Sequence, residues 1–244
     1  MRPFCLTFDV EEFFDLNNEE MFEISFAGLK KMEELLEDFD IKSTMFVTSS
    51  FANVYPHEIR KLSRKYEIAL HGISTNKNSL LSEKETLENI INQSVFGLRM
   101  HRMMNPNFGV LKSLGFVYDS SIHPTIVPGR YNRMFSPTRI RKINEVFEVP
   151  PSVAVFRIPI SFVSFRVLPL NIVRKMVLNA VKRNGYVLLY FHPWEFVDLE
   201  RYSIPFLLKK NTGEYLVSKM KRFLEWTINI FDFMTISEML TFYQ

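Results

Sequence analysis

Short apolar runs alternate with amphipathic stretches along almost the whole chain, and this alternation restricts the fold more than any other feature. Apolar runs with few polar interruptions suit strands buried on both faces, and helical patterns between them supply the crossovers that parallel strands need. Residues 3–8, 43–48, 66–70, 97–100, 116–119, 186–191 and 231–235 read as strands. Residues 26–39, 56–65, 82–93, 106–114, 171–183, 214–228 and 236–242 read as helices. Leu29, Met32, Leu35, Leu36 and Phe39 share one face of the first helix, and Ser82 with Glu85 has the capping-box spacing at the start of another. The 106–114 helix stops at Gly115. From 120 to 164 the pattern breaks up around Pro124, Pro128, Pro137, Pro150, Pro151 and Pro159, and reads as a loop-and-hairpin insertion covering one mouth of the fold. With no internal repeat and no linker, residues 1–244 read as one α/β domain.

A chain of 244 residues with 47% hydrophobic and 23% charged residues can bury a large core, which excludes a disordered protein. Thirty Lys and Arg against 27 acids leave a net charge of +3, spread without a dense basic block, so nucleic acid is not an expected partner. The sequence pI near 8.9 permits weak attraction to anionic glycans or lipid headgroups. Cys5 is the single cysteine and sits in an apolar run, which predicts a buried thiol and excludes an internal disulfide. Asp9 interrupts any signal-peptide pattern, and no run of about 18 apolar residues occurs, so the expected location is cytoplasmic with no membrane span. The oligomeric state is left open.

Several strands run directly into polar residues. The first ends at Asp9, with Glu11 and Glu12 behind it; the third runs into His71; the 97–100 strand carries Arg99; the 186–191 strand delivers His192. Parallel α/β folds build their sites at the C-terminal strand ends, so carboxylates, imidazoles and a guanidinium would meet at one mouth. Such a set suits hydrolysis. A carboxylate and an imidazole can share a divalent metal, a second carboxylate can take a proton from water, and a histidine opposite can protonate the leaving group. An arginine beside the basic carboxylate orients it. Each residue also has a structural reading: a turn cap for Asp9, a turn residue for His71, a surface ion pair for Arg99, a core histidine for His192. The set as a whole favours the functional one. His101 and His123 read as loop histidines, His57 as surface, and Trp194 as a core anchor.

At these positions the chain resembles the polysaccharide deacetylase family, the NodB-type or carbohydrate esterase family 4 proteins. The resemblance is carried by Thr7-Phe8-Asp9-Val10-Glu11-Glu12, His71-Gly72-Ile73-Ser74, Leu98-Arg99, the segment from Leu114 to Ile122, and Leu189-Tyr190-Phe191-His192-Pro193-Trp194-Glu195, in order from residue 4 to about residue 240. It implies a distorted (β/α) barrel of about seven strands, and a hydrolase of non-peptide C–N bonds that deacetylates an N-acetylated sugar or glycan. By resemblance Asp9 is the general base, Arg99 its support, His192 the general acid, and Glu11 and His71 ligands of a divalent metal, zinc being expected. A metal-independent amide hydrolase and a non-catalytic glycan-binding protein are the alternatives. The family's second ligand histidine would fall at Thr75, a poor zinc ligand, and the proline expected two residues after Arg99 is His101, which could substitute as a ligand. Glu11 is one methylene longer than the usual aspartate.

Overall fold

The chain opens as β1 (Pro3–Val10), buried along its whole length. Strand alternation splits its side chains: Phe4, Leu6, Phe8 and Val10 join the main apolar cluster with the helices, while Cys5, Thr7 and Asp9 face the other way. The computed structural model describes residues 2–13 and 20–243. The strand–helix alternation continues through α1 (Glu20–Asp38), β2 (Ser43–Val47), α2 (Ser49–Val54), α3 (Pro56–Leu62), β3 (Glu67–Gly72), α4 (Lys77–Ile91), β4 (Gly97–Met100), α5 (Phe108–Ser113) and β5 (Tyr118–Asp119). Two hairpins follow, β6 (Ile126–Val127) with β7 (Tyr131–Asn132) and β8 (Arg141–Ile143) with β9 (Val146–Glu148). The chain then runs through α6 (Phe162–Val167), α7 (Leu170–Asn184), β10 (Val187–Phe191), α8 (Phe206–Lys209), α9 (Glu214–Thr227), β11 (Asp232–Phe233) and α10 (Ile236–Leu240).

Seven of these strands lie side by side in the order β10-β1-β2-β3-β4-β5-β9, all parallel. The sheet curls until its two edges meet. Beyond β9 the Ser152 N–H donates to the Leu188 carbonyl of β10 at 2.9 Å, and the Leu188 N–H donates to Ser152 Oγ at 2.9 Å. The result is the distorted seven-stranded (β/α) barrel that the family resemblance implies. Inside it pack Cys5, Phe46, Ala69, Tyr118 and Leu188, and Ile236, Met239 and Leu240 of α10 plug one end. Burying each large apolar side chain in this way stabilises the fold by about 1.5–3 kcal/mol. No helix among the described residues is long and apolar enough to cross a membrane.

The structure departs from the expected elements at instructive places. Helix α4 begins five residues before Ser82, because the Asn76 side chain accepts from the Asn78 and Ser79 N–H groups at 2.9 and 3.2 Å and so sets the N-terminus. Ser82 therefore lies within the helix, and its spacing to Glu85 caps nothing. The helix α2, capped by Thr48, had no periodic signal over its six residues. Part of the 120–164 stretch is not an insertion: β9 is a wall strand of the barrel, too short to show a period.

Candidate active site

Arg99 lies buried behind the mouth and anchors it. It is fully buried on β4, where register pairs it with His71 of β3. Burying a guanidinium requires that its donors be used, and they are. One terminal nitrogen donates to Asp9 Oδ1 at 2.6 Å and Thr7 Oγ1 at 2.9 Å; the others reach the Ser120 carbonyl and Ser120 Oγ at 3.2 and 3.0 Å. The Phe46 ring lies 4.0 Å away. Asp9 is thus fixed through one oxygen, while Oδ2 lies 3.8 Å from His192 Nε2.

Glu11 follows directly on β1 and is buried. Its Oε2 lies 3.0 Å from His71 Nε2 and 2.8 Å from His101 Nδ1, and its Oε1 lies 3.8 Å from His192 Nε2. Burial pushes the Glu11 carboxyl up, but the hydrogen bonds to His101 and His71 and the charges of His71 and His192 outweigh it and hold it well below the usual range. Burial likewise opposes charge on His71, and the Asp9 and Glu11 carboxylates overcome it and raise its pKa. The place between these donors therefore demands positive charge. Glu11, His71 and His101 each offer one ligand atom, all within 4.8 Å of one another, and one carboxylate with two imidazoles is a donor set suited to a divalent ion. His101, and not Thr75, is the third candidate donor of this set. Thr75 itself is exposed on the loop before α4 and does not line the pocket.

His192 ends β10 opposite this group. Its Nδ1 and its N–H both meet Glu195 Oε1, at 3.0 and 2.8 Å, and Arg166 Nε lies 3.2 Å from Glu195 Oε2 with both side chains fully buried. Burial works against a charged His192, and Glu195, Glu11 and Asp9 reverse that and raise its pKa. Trp194 stacks on the imidazole at 4.7 Å and Phe162 meets it edge-on at 4.7 Å. Gly28 of α1 permits this turn to pack: a Cβ there would fall 1.8 Å from the Pro193 carbonyl oxygen.

Asp9, Glu11, His71, His101 and His192 floor a pocket of about 550 Å³, with Arg99 behind Asp9 and outside the lining. All five residues marked in the sequence, Asp9, Glu11, His71, Arg99 and His192, come together here. His101 and His123, read as loop residues, also line the pocket; burial, with the charges of Arg99 and Arg133, lowers His123 to about 3. Glu12 turns away and accepts from Thr48 Oγ1 and Ser50 Oγ at 2.8 and 2.6 Å, and His57 is exposed. Sequence reasoning missed the supporting pair Glu195 and Arg166. Glu195, three residues after His192, was visible in its motif; Arg166, on a distant short helix, carried no signal.

A parallel barrel with carboxylates, imidazoles and a buried guanidinium at its C-terminal mouth defines a class of α/β barrels that build chemistry from strand ends. Residues 4–106 match the family described as polysaccharide deacetylase, and residues 120–241 match one described as a domain of unknown function, DUF3473. The chain belongs to the polysaccharide deacetylase family, in a form whose second half is the DUF3473 region. A candidate polysaccharide deacetylase from Mycobacterium smegmatis shares the fold at a TM-score of 0.66, with 17% identity over 97% of this chain and 88% of that one. Puue allantoinase is similar at 0.63, with 16% identity over 97% and 88%. A CE4 family pseudoenzyme from Bacillus anthracis is similar at 0.55, with 9% identity over 98% of this chain and 65% of its own. No curated protein sequence matches the chain.

Proposed function

We propose that this chain, acting as one domain over residues 1–244, is a hydrolase that removes an acetyl group from an N-acetylated sugar or glycan. The observation that carries the reading is the meeting of Asp9 Oδ2 and Glu11 Oε1 at 3.8 Å from His192 Nε2, beside the Glu11–His71–His101 donor set. Zinc suits that set, and a divalent ion held by Glu11, His71 and His101 would supply Lewis acidity toward the acyl carbonyl and toward water. Asp9, held through its other oxygen by Arg99, takes the proton from the attacking water at Oδ2. His192, fixed at Nδ1 by Glu195, presents Nε2 to the departing nitrogen and protonates it. Trp194, Phe162 and Tyr190 wall the pocket and keep bulk water from the leaving group.

A decayed, purely glycan-binding site would have no need to keep an oriented base and an oriented acid within reach of one water, which favours catalysis. Acetate release from N-acetylglucosamine oligomers by purified protein, before and after chelation and zinc return, tests the reading. Release lost on chelation and restored by zinc is expected. Release that survives chelation would assign the work to Asp9, His71 and His192 without metal, and no release from any acetylated glycan would overturn the hydrolase reading.

A further inference from the structure

A second cavity of about 330 Å³ adjoins the catalytic pocket and shares Arg102, Met103, Arg130 and Tyr131 with it. Three guanidinium groups line it, from Arg102, Arg130 and Arg133, and no carboxylate does. They play different parts. Arg133 is used up internally: it donates to the Ser121 and Met103 carbonyls and to Asn105 Oδ1 at 2.7, 2.7 and 2.6 Å, and lies over the Tyr131 ring at 4.7 Å. These bonds tie the loop after β4 to the β6–β7 hairpin, which brings Arg102 from one and Arg130 from the other to the same cavity. Arg102 and Arg130 are exposed, and neither has an ion pair among the described residues. Some other cations on the surface do find carboxylates, as Lys31 does in Glu214 and Lys112 in Glu145.

The backbone here is also unusual. Arg102 and Met103 have φ of 53° and 54°, a left-handed pair that long side chains avoid, and the Arg133 bond to the Met103 carbonyl holds it. The same turn carries His101 into the catalytic group and Arg102 into the neighbouring cavity. The wider field agrees. Between residues 121 and 190 the chain has eleven Lys and Arg against two acids, Glu145 and Glu148, so the small overall charge of +3 conceals a basic stretch, of which Arg130 and Arg133 line this cavity.

We propose that this cavity binds an anionic group of the substrate, so that the preferred glycan bears a carboxylate or a phosphate beside the acetylated sugar. The proposal rests on reading the main pocket as a glycan site. Paired guanidinium groups suit both anions, because each can offer two parallel N–H donors to two oxygens.

Calorimetric binding of three probes to the intact protein tests it: a neutral N-acetylglucosamine tetramer, a tetramer alternating N-acetylglucosamine with glucuronate, and N-acetylglucosamine 1-phosphate. At low ionic strength at least one charged probe should bind about tenfold or more tightly than the neutral one, with the carboxylate and phosphate arms deciding which anion is meant. The difference should shrink with added salt and in an Arg102→Ala, Arg130→Ala double variant, with circular dichroism verifying its fold. Equal binding of neutral and charged probes, no binding of either charged probe, or a preference that survives in the double variant would each overturn the proposal. Binding is read without turnover, so the two readings fail separately. Acetate release with no charge preference removes the anion subsite alone; a charge preference without acetate release removes the deacetylase alone.

Discussion

The two ends of the barrel tie down the same kind of group for opposite purposes. At the floor, Glu67 at the start of β3 accepts from Thr44 Oγ1 at 2.7 Å, Tyr118 OH at 2.9 Å, and the N–H and hydroxyl of Ser237. Its oxygens are spent on the plug that closes the barrel. At the mouth, Glu11 and Asp9 are more deeply buried than the half-buried Glu67, but Glu11 is held by imidazoles, and one oxygen of Asp9 is left facing a pocket. A carboxylate satisfied by hydroxyls and backbone N–H groups serves stability; one satisfied by groups that themselves titrate or ligate serves chemistry. Mutations at the two ends should therefore separate into mainly lost activity and mainly lost stability.

The largest effect is expected at the mouth. Asp9→Asn and His192→Ala should each lower acetate release at least about a hundredfold, the usual contribution of a general acid or base, with the melting temperature little changed in His192→Ala and lowered in Asp9→Asn, which keeps an acceptor for Arg99 but removes the counter-charge of that buried guanidinium. Near-normal turnover in either variant would take that residue out of the mechanism. Unfolding of both would erase the contrast between mouth and floor. Next, His101→Ala removes one of three donors around Glu11 and should weaken zinc binding by at least the ~10–100-fold that follows loss of a supporting group. Competitive chelator titration measures this, and unchanged affinity would show that His101 only hydrogen-bonds Glu11.

The floor should answer in stability. Glu67→Gln keeps the shape but replaces one acceptor oxygen with a donor facing hydroxyls, at a cost of about 1–2 kcal/mol in urea unfolding, and should leave turnover alone. A wall pair between the two ends gives a pH test. Asp119 and Glu148 face each other across β5 and β9, and burial, reinforced by the neighbouring Asp119 charge, pushes Glu148 well up. The folded chain then keeps a proton that the unfolded chain releases above the ordinary carboxylate range, so folding loses stability as pH rises from there. Glu148→Gln keeps the neutral form at every pH. Its stability relative to the natural chain should grow between pH 5 and pH 8; a constant difference would mean that the pair shares no proton.

How much of this was legible in the sequence follows from the physics of each part. The parallel α/β order was, because its strands are continuous apolar runs with helical periods between them, whereas closure into a barrel was implied only by the family resemblance; β9 was not legible, since three residues have no period. The meeting of Asp9, Arg99 and His192 was, because parallel strands that end in polar residues bring them to one edge of the sheet. Arg166 was hidden because its partner Glu195 lies across the fold on another element. The basic stretch after residue 120 was hidden by counting charge over the whole chain.

Linear spacing misled at Thr75, and there the expected effect is smallest. Four residues after His71 is the position where the resemblance implies a ligand, but the loop leaves the mouth at once. The Ile73 N–H donates to Glu83 Oε2 of α4 at 3.1 Å, and Asn76 is committed to capping that helix. Thr75 between them is exposed, outside the pocket, and has no path inward unless one of those anchors breaks. His101, brought in by the left-handed turn after β4, already fills the third donor place. Thr75→His should therefore leave zinc affinity within about twofold of the natural chain, since an exposed imidazole outside the donor set adds no bond to the ion. Calorimetric zinc titration of the two proteins reads the difference directly. A large gain in affinity would mean that the 73–76 loop folds inward when metal is present, and that His101 and a histidine at 75 are alternative ligands for one ion.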